Sequence, residues 1–267
     1  MTRRLHVIVP MAGEGRRFAD AGYDTPKPLI KVNDKEIFRR ALDSIFDFEH
    51  GIDYMGYGEY PKFTFIVRQE HIDNHHIDET IRKHYKDANV LSVAKTTRGA
   101  LETIELAMQF VEPSDVVISM DCDFAFFFPK YLNHIKNIMN VDSKIVAPML
   151  MTFYSKDPKY SYAMPSGELG LFNYVYEKQQ MSTYAVAGCY FYGDGRTFKH
   201  YVNRVMDGYN KGTYKEKEAY ASLYFREAAQ ELMCMFDDMN FRTDYLWSFN
   251  TPEDLENYNE NKSVWDK

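Results

Sequence analysis

Two clusters in this chain have the residue types and spacing for phosphate chemistry. The first is Gly13-Glu14-Gly15-Arg16-Arg17-Phe18, reached directly from the apolar run 5–10 and followed by Pro26-Lys27-Pro28-Leu29. Glycines let backbone N–H groups approach an oxyanion closely. Arg17 and Lys27 add full positive charges suited to a polyphosphate. The second cluster is Asp121-Cys122-Asp123, which closes the apolar run Val116–Met120. In an extended chain, side chains two residues apart share a face. Both carboxylates can then meet one hard cation such as Mg2+. Read alone, Arg16 and Arg17 are equally loop residues in solvent, and Asp121 and Asp123 an acidic loop.

Other chemistries fit less well. Phe18 stands where a dinucleotide-binding loop needs its third glycine, and the Gly-Lys-Ser/Thr of a P-loop is absent. His71 and His75 are four residues apart but read as solvated histidines at a helix start. The three cysteines, Cys122, Cys189 and Cys234, form no Cys-x-x-Cys pair, which argues against a zinc site and a disulfide framework. Cys122 lies between two acids and is a poor nucleophile for that reason.

The 267 residues carry a formal charge of −7, so the chain as a whole does not attract nucleic acid. Positive charge is local, at Arg3, Arg4, Arg16, Arg17, Lys27 and Lys31, and suits a small anionic ligand. Without a secretory apolar region or a membrane-length apolar run, the expectation is a cytoplasmic protein with no membrane or nucleic-acid partner.

Apolar runs at 5–10, 63–67, 90–94, 116–120 and 144–151 read as strands, and 36–46, 75–85, 99–110 and 129–139 as helices. This alternation predicts an α/β fold, with a mostly parallel sheet and helices on both faces. Further on, 171–177 and 185–192 read as strands of a mixed extension, and Gly193-Asp194-Gly195 as a turn. Helices are expected at 195–209 and 220–233, a last strand at 245–249, and a closing helix with Thr251 as N-cap and Pro252 at its first position. One unit is expected, with a regular alternating half over 1–150 and a less regular half over 151–267. Three motifs, 13–17, 96–99 and 121–123, follow predicted strands, where open parallel sheets hold ligands.

Gly13-x-Gly15-x-Arg17-Phe18 together with Pro26-Lys27-Pro28-Leu29 resembles the nucleotidyltransferase family of sugar-1-phosphate pyrophosphorylases. Segments 65–71, 97–100, 119–123, 177–178, 187–190 and 251–255 resemble later landmarks of that family, in the same order across nearly the whole chain. The resemblance implies a Rossmann-like, GT-A-like core with a smaller acceptor-binding extension. It implies Mg2+-dependent joining of an NTP to a phosphorylated acceptor, a sugar 1-phosphate first among them, with release of pyrophosphate. Arg17, Lys27 and Asp121 would be catalytic, with Asp121 the principal metal ligand and Asp123 assisting. Met11, Ala12, Gly13, Gly15, Arg16, Thr97 and Gly99 would meet the nucleotide. Glu177, Lys178 and Gly188 would meet the acceptor, with Tyr162 beside them.

Two positions depart from the family pattern. Arg98 stands where an acidic or polar residue is common, and Asn250 where many members carry a second metal-binding Asp. Asn250 is thus either an oxygen ligand or a helix cap, and Lys178 either a phosphate ligand or a surface residue at a strand end. Products of such enzymes commonly feed surface polysaccharide synthesis, and the resemblance is compatible with a homo-oligomer. Three other readings remain open: a GT-A glycosyltransferase using Asp-x-Asp, a cytidylyltransferase for a non-sugar phosphorylated small molecule, and a non-catalytic nucleotide-sugar sensor.

Overall fold

The computed structural model describes residues 3–45, 60–126, 129–140, 146–238 and 246–260. The order begins β1 (Leu5–Met11), α1 (Arg16–Asp20), β2 (Lys31–Val32), β3 (Lys35–Glu36), α2 (Ile37–Asp43), β4 (Lys62–Arg68), α3 (Gln69–His75), α4 (Ile77–His84) and β5 (Asn89–Val93). It continues with α5 (Ala100–Glu105), β6 (Val116–Met120), β7 (Phe124–Phe126), α6 (Pro129–Asn140), β8 (Met149–Tyr154), β9 (Tyr162–Pro165) and β10 (Leu171–Tyr176). It ends with β11 (Tyr184–Asp194), α7 (Gly195–Asn210), α8 (Ser222–Ala228), β12 (Cys234–Asp238), β13 (Leu246–Ser248) and α9 (Pro252–Glu260). Residues 46, 144, 145 and 245 of the predicted elements lie outside the described residues.

Strand alternation builds two cores. Val7, Val9, Phe63, Phe65 and Ile118 turn to the face covered by α2 and α4, where Phe38, Ala41, Ile77 and Ile81 are buried. Ile8, Ile66 and Val117 turn to the other face and pack with Leu101 and Ile104 of α5 and Phe198 and Val202 of α7. Among the described residues no helix is long and apolar enough to cross a membrane.

The expected open, mostly parallel, Rossmann-like sheet is not what forms. The strand order is β5-β4-β1-β6-β11-β8-β12-β10-β9, and β11 also pairs with β9. Strands β5, β4, β1 and β6 run parallel. Then β11 runs antiparallel to both β6 and β8. The pairing of Tyr184 and Ala185 in β11 with Ala163 and Tyr162 in β9 closes β11, β8, β12, β10 and β9 into a five-stranded barrel. The cause lies in β11. It has 11 residues, and its pairing register shifts between Val186 and Tyr190 on one side and between Phe191 and Gly193 on the other. Such irregularities bend a strand and increase its twist. One end of β11 therefore continues the parallel layer while the other belongs to the barrel.

Local boundaries also moved. The helix expected at 75–85 forms as α4, and a further helix that was not expected, α3, precedes it across His76, whose φ is +50°. Gly193-Asp194-Gly195 is not a free turn. Strand β11 runs through Asp194, whose carboxylate accepts from the Thr197 N–H at 2.9 Å and caps α7.

Candidate active site

Strands β1 and β6 are parallel neighbours, with Ile8 opposite Ser119. Their carboxyl ends therefore release the Gly13 loop and Asp121 on the same side of the sheet. The Asp121 N–H donates to Gly188 O at 2.8 Å, which joins β6 to the middle of β11. Beyond Asp123, β7 pairs with β13, Phe124 opposite Ser248. The Phe249 N–H then donates to Asp123 O at 2.7 Å, which brings Asn250, more than a hundred residues away in sequence, beside Asp123.

These ends border a cleft of about 440 Å³. Met11, Gly13, Gly15, Arg17 and Lys27 line one part, together with Asp121, Asp123 and Asn250. The Lys27 ammonium pairs with the Asp123 carboxylate and lies 3.4 Å from Asn250 Oδ1. Burial opposes the charge on Lys27, but the charge and hydrogen bond of Asp123, with Asp121 beside it, outweigh it and hold its pKa above the ordinary value. The Asp121 carboxyl is pushed well above the usual range by burial and by the neighbouring charge of Asp123. The same surroundings push the Cys122 thiol up to about 12, which keeps it protonated and unreactive.

Arg17 is exposed at the cleft and makes no hydrogen bond or ion pair among the described residues. Arg16 is 80% exposed in its side chain and pairs with Glu14. Asn250 does not cap α9. Its N–H and that of Thr251 both donate to Asp254 Oδ2 at 2.9 Å, while the Asp254 N–H donates back to Thr251 Oγ1 at 3.2 Å. Thr251 and Asp254 close a reciprocal cap, which leaves Asn250 Oδ1 turned toward Lys27.

The other part of the cleft includes Glu177, Lys178 and Gly188. Glu177 Oε2 accepts from Ser161 Oγ at 2.5 Å and from Ser222 Oγ at 2.6 Å. Burial raises the Glu177 pKa and the two hydroxyls partly offset it. Lys178 does not pair with Glu177 but donates to Tyr220 Oη at 2.9 Å. Tyr162 is fully buried, with its hydroxyl donating to Asp157 O at 2.7 Å, and its neighbours Tyr160 and Ser161 line the cleft instead. Sequence reasoning passed over Lys159, Ser161, Tyr190, Tyr220 and Ser222. The signal for Ser161 was present in Tyr160-Ser161-Tyr162, because a strand exposes alternate residues and burying Tyr162 turns Ser161 the other way.

The 97–100 turn lies beside the cleft through Ala100. Thr97 Oγ1 donates to Gly99 O at 3.1 Å and is 2.5 Å from Thr103 Oγ1. The Arg98 side chain bonds Glu102 and Asn210, away from the cleft. Ala12 is buried in the core and does not line the cleft, unlike Met11 and Gly13 on either side. His71 is buried and His75 lies near it, in a smaller cavity of about 200 Å³ behind the Gly13 loop.

Among the described residues no group of three or more His, Cys, Asp and Glu is gathered to hold a metal. The donor set here is two carboxylates and an amide oxygen, all hard ligands of the kind Mg2+ prefers. One ammonium, that of Lys27, pairs with Asp123 and lies 3.4 Å from the Asn250 amide oxygen, so two carboxylates share a single neighbouring cation. The residues fit a divalent cation on that ground.

No protein-family model matches the chain, and no curated protein does. Solved structures do. A nucleoside-diphosphate-sugar pyrophosphorylase from Vibrio cholerae RC9 superposes with a TM-score of 0.74 at 20% identity, covering 95% of this chain and 99% of that one. The inositol-1-phosphate CTP transferase from T. maritima superposes with a TM-score of 0.66 at 15% identity, covering 99% of each chain. The chain has the fold of these pyrophosphorylase and transferase structures.

Proposed function

We propose that this chain is a nucleotidyltransferase that joins an NTP to a phosphorylated small molecule, a sugar 1-phosphate or related phosphomonoester, and releases pyrophosphate. One observation carries the reading. A single cleft gathers Arg17, Lys27 and the Asp121/Asp123 pair in one part, and Glu177 and Lys178 in another. That is a cation set for a triphosphate beside an ammonium for a second phosphate. The names of the solved structures with this fold are in keeping with it.

In this reading the acceptor phosphate attacks the α-phosphorus in line. A bond from acceptor oxygen to α-phosphorus forms as the bond from α-phosphorus to the bridging oxygen breaks, and pyrophosphate carries off the electron pair. The attacking phosphate is already anionic, so no general base is needed. Arg17 and Lys27 balance charge as it builds on the leaving pyrophosphate. The backbone at Met11, Ala12, Gly13, Gly15, Thr97 and Gly99 holds the nucleotide, and Arg16 adds charge at the loop. Lys178 binds the acceptor phosphate and Glu177 fixes the acceptor body. Asp121 and Asp123, with Asn250, would hold Mg2+, which when bound neutralises phosphate charge. The division into a nucleotide half over 1–150 and an acceptor half over 151–267 follows the same assignment. A glycosyltransferase would share the Asp-x-Asp pair, but it has no departing pyrophosphate for Arg17 and Lys27 to hold.

The test mixes the protein and Mg2+ with each NTP against a panel of sugar 1-phosphates, inositol 1-phosphate and phosphocholine, and follows pyrophosphate. Release that needs both substrates supports the reading. Sugar transfer from a nucleotide sugar, without pyrophosphate release from any pair, would replace it with the glycosyltransferase.

A further inference from the structure

Lys178 is the only residue at its end of the cleft with a strained backbone among the described residues: its φ is +50°, which residues other than glycine avoid. Its ammonium lies on Tyr220. Nζ donates to the Tyr220 hydroxyl at 2.9 Å and lies 4.4 Å from the centre of its ring. Both residues line the cleft. We propose that Tyr220 positions Lys178 and that the two side chains act together as one two-donor site for the acceptor phosphate. The proposal rests on the reading of Lys178 given above.

The donor inventory supports it. An ammonium has three N–H donors, and Tyr220 takes one of them. A hydroxyl that accepts a hydrogen bond keeps its own proton to donate, and the Tyr220 hydroxyl donates to nothing among the described residues. A phosphomonoester dianion presents only acceptors, so adjacent N–H and O–H donors can meet two of its oxygens. Burial opposes charge on Lys178, but the hydrogen bond to Tyr220 and the nearby carboxylates of Glu177 and Glu218 outweigh it and hold its pKa above the ordinary value, so it stays an ammonium at neutral pH. A lysine stem is flexible, and a fixed partner reduces the ordering that phosphate binding requires.

Tyr220 is itself held from both sides. Just before it, the Ala219 N–H donates to Arg98 O at 2.9 Å, and Ala219 O accepts from the Leu101 N–H at 2.8 Å. Gly99 lets this happen. Its φ is +153°, and a Cβ there would stand 2.6 Å from Ala219 N and O. Two residues after Tyr220, Ser222 holds Glu177, the neighbour of Lys178. The segment 219–222 thus spans from the Gly99 turn to the acceptor end, with Tyr220 fixed between.

Two measurements test this. In the first, wild type, Tyr220→Phe and Tyr220→Ala are labelled with limiting acetic anhydride, and acetylation of Lys178 is read by mass spectrometry with and without inorganic phosphate. Labelling of Lys178 should rise severalfold in Tyr220→Ala and less in Tyr220→Phe, which keeps the ring. Inorganic phosphate should protect Lys178 in wild type and less in Tyr220→Phe. In the second, Tyr220→Phe should raise the KM for the acceptor found by the panel about tenfold, the scale of a hydrogen bond to a charged group, with the KM for NTP unchanged. In a Lys178→Ala background the same change should add little. Unchanged Lys178 labelling would overturn the positioning, and absent phosphate protection would overturn the phosphate site. Equal shifts in both KM values would overturn the acceptor assignment. Should the wild type release no pyrophosphate with any pair, the labelling arm still decides the Lys178–Tyr220 site while the nucleotidyltransferase reading falls separately.

Discussion

Gly188 stands against the carboxylate of Asp121. A Cβ at position 188 would lie 3.0 Å from Asp121 Oδ2 and 2.7 Å from Phe124 Cδ2, and the backbone there has φ +67°. The Asp121 N–H also donates to Gly188 O at 2.8 Å. Strand β11 therefore sets where the carboxylate points. Gly188→Ala should cost about 1–3 kcal/mol of stability, the scale for a residue forced into the left-handed region. It should also lower turnover by displacing Asp121. A thermal melt beside a rate measurement checks both, and a variant with wild-type stability and rate would remove Gly188 from this role.

Arg17→Ala and Lys27→Ala should weaken NTP binding far more than NMP binding, since both residues are assigned to the β- and γ-phosphates. Arg17 is exposed and makes no ion pair among the described residues, so its loss should leave the melting temperature unchanged. Titrations of each variant with NTP and with NMP give the comparison. Equal losses for the two ligands would move both residues away from the pyrophosphate.

Asn250 and Asp254 have separate tasks. Asp254→Ala should cost about 1 kcal/mol, the scale of a lost cap, with the Mg2+ dependence unchanged. Asn250→Ala should leave the melt nearly intact and raise the Mg2+ concentration needed for half-maximal rate. A Mg2+ titration of both variants separates capping from metal binding. The reverse pattern would make Asn250 structural.

Stability should depend on pH through His6, far from the cleft at the start of β1. His6 is fully buried, with Nε2 2.8 Å from Thr64 Oγ1 and Nδ1 3.5 Å from Asp115 Oδ2. Burial lowers its pKa, and Asp115 only partly opposes this. As pH falls below the unfolded value of about 6.5, the unfolded chain takes up a proton that folded His6 refuses. Stability is thus fully present above that pH and is lost progressively as pH falls toward the lowered folded value. His6→Gln should flatten the fall in melting temperature between about pH 7 and pH 5. An equally steep fall would place the dependence on other groups.

The cleft was readable in the sequence where chemistry sits at strand ends. Apolar runs before Gly13 and Asp121 located those ends, and parallel pairing then made them neighbours. The barrel was not readable. Its closure needs β9, four residues long, to meet the first residues of β11, and nothing local in 162–165 announces that pairing. Gly193 resembled a turn residue, yet it lies inside β11, where a Cβ would meet Val146 O at 2.5 Å. Tyr220 and Ser222 fell within a segment read as one helix, whereas α8 begins only at Ser222. Their contacts with Lys178 and Glu177 are tertiary and leave no periodic trace.

The most direct test of the account compares pyrophosphate release by wild type and Asp121→Ala with Mg2+, an NTP and the phosphorylated acceptor panel. Asp121 follows the last residue of a strand and faces the cleft, so its truncation should leave the melt intact. The account predicts release by the wild type that needs both substrates, and a loss exceeding ~100-fold in the variant, the scale for a main electrostatic contributor. Release at the wild-type rate by Asp121→Ala would contradict it.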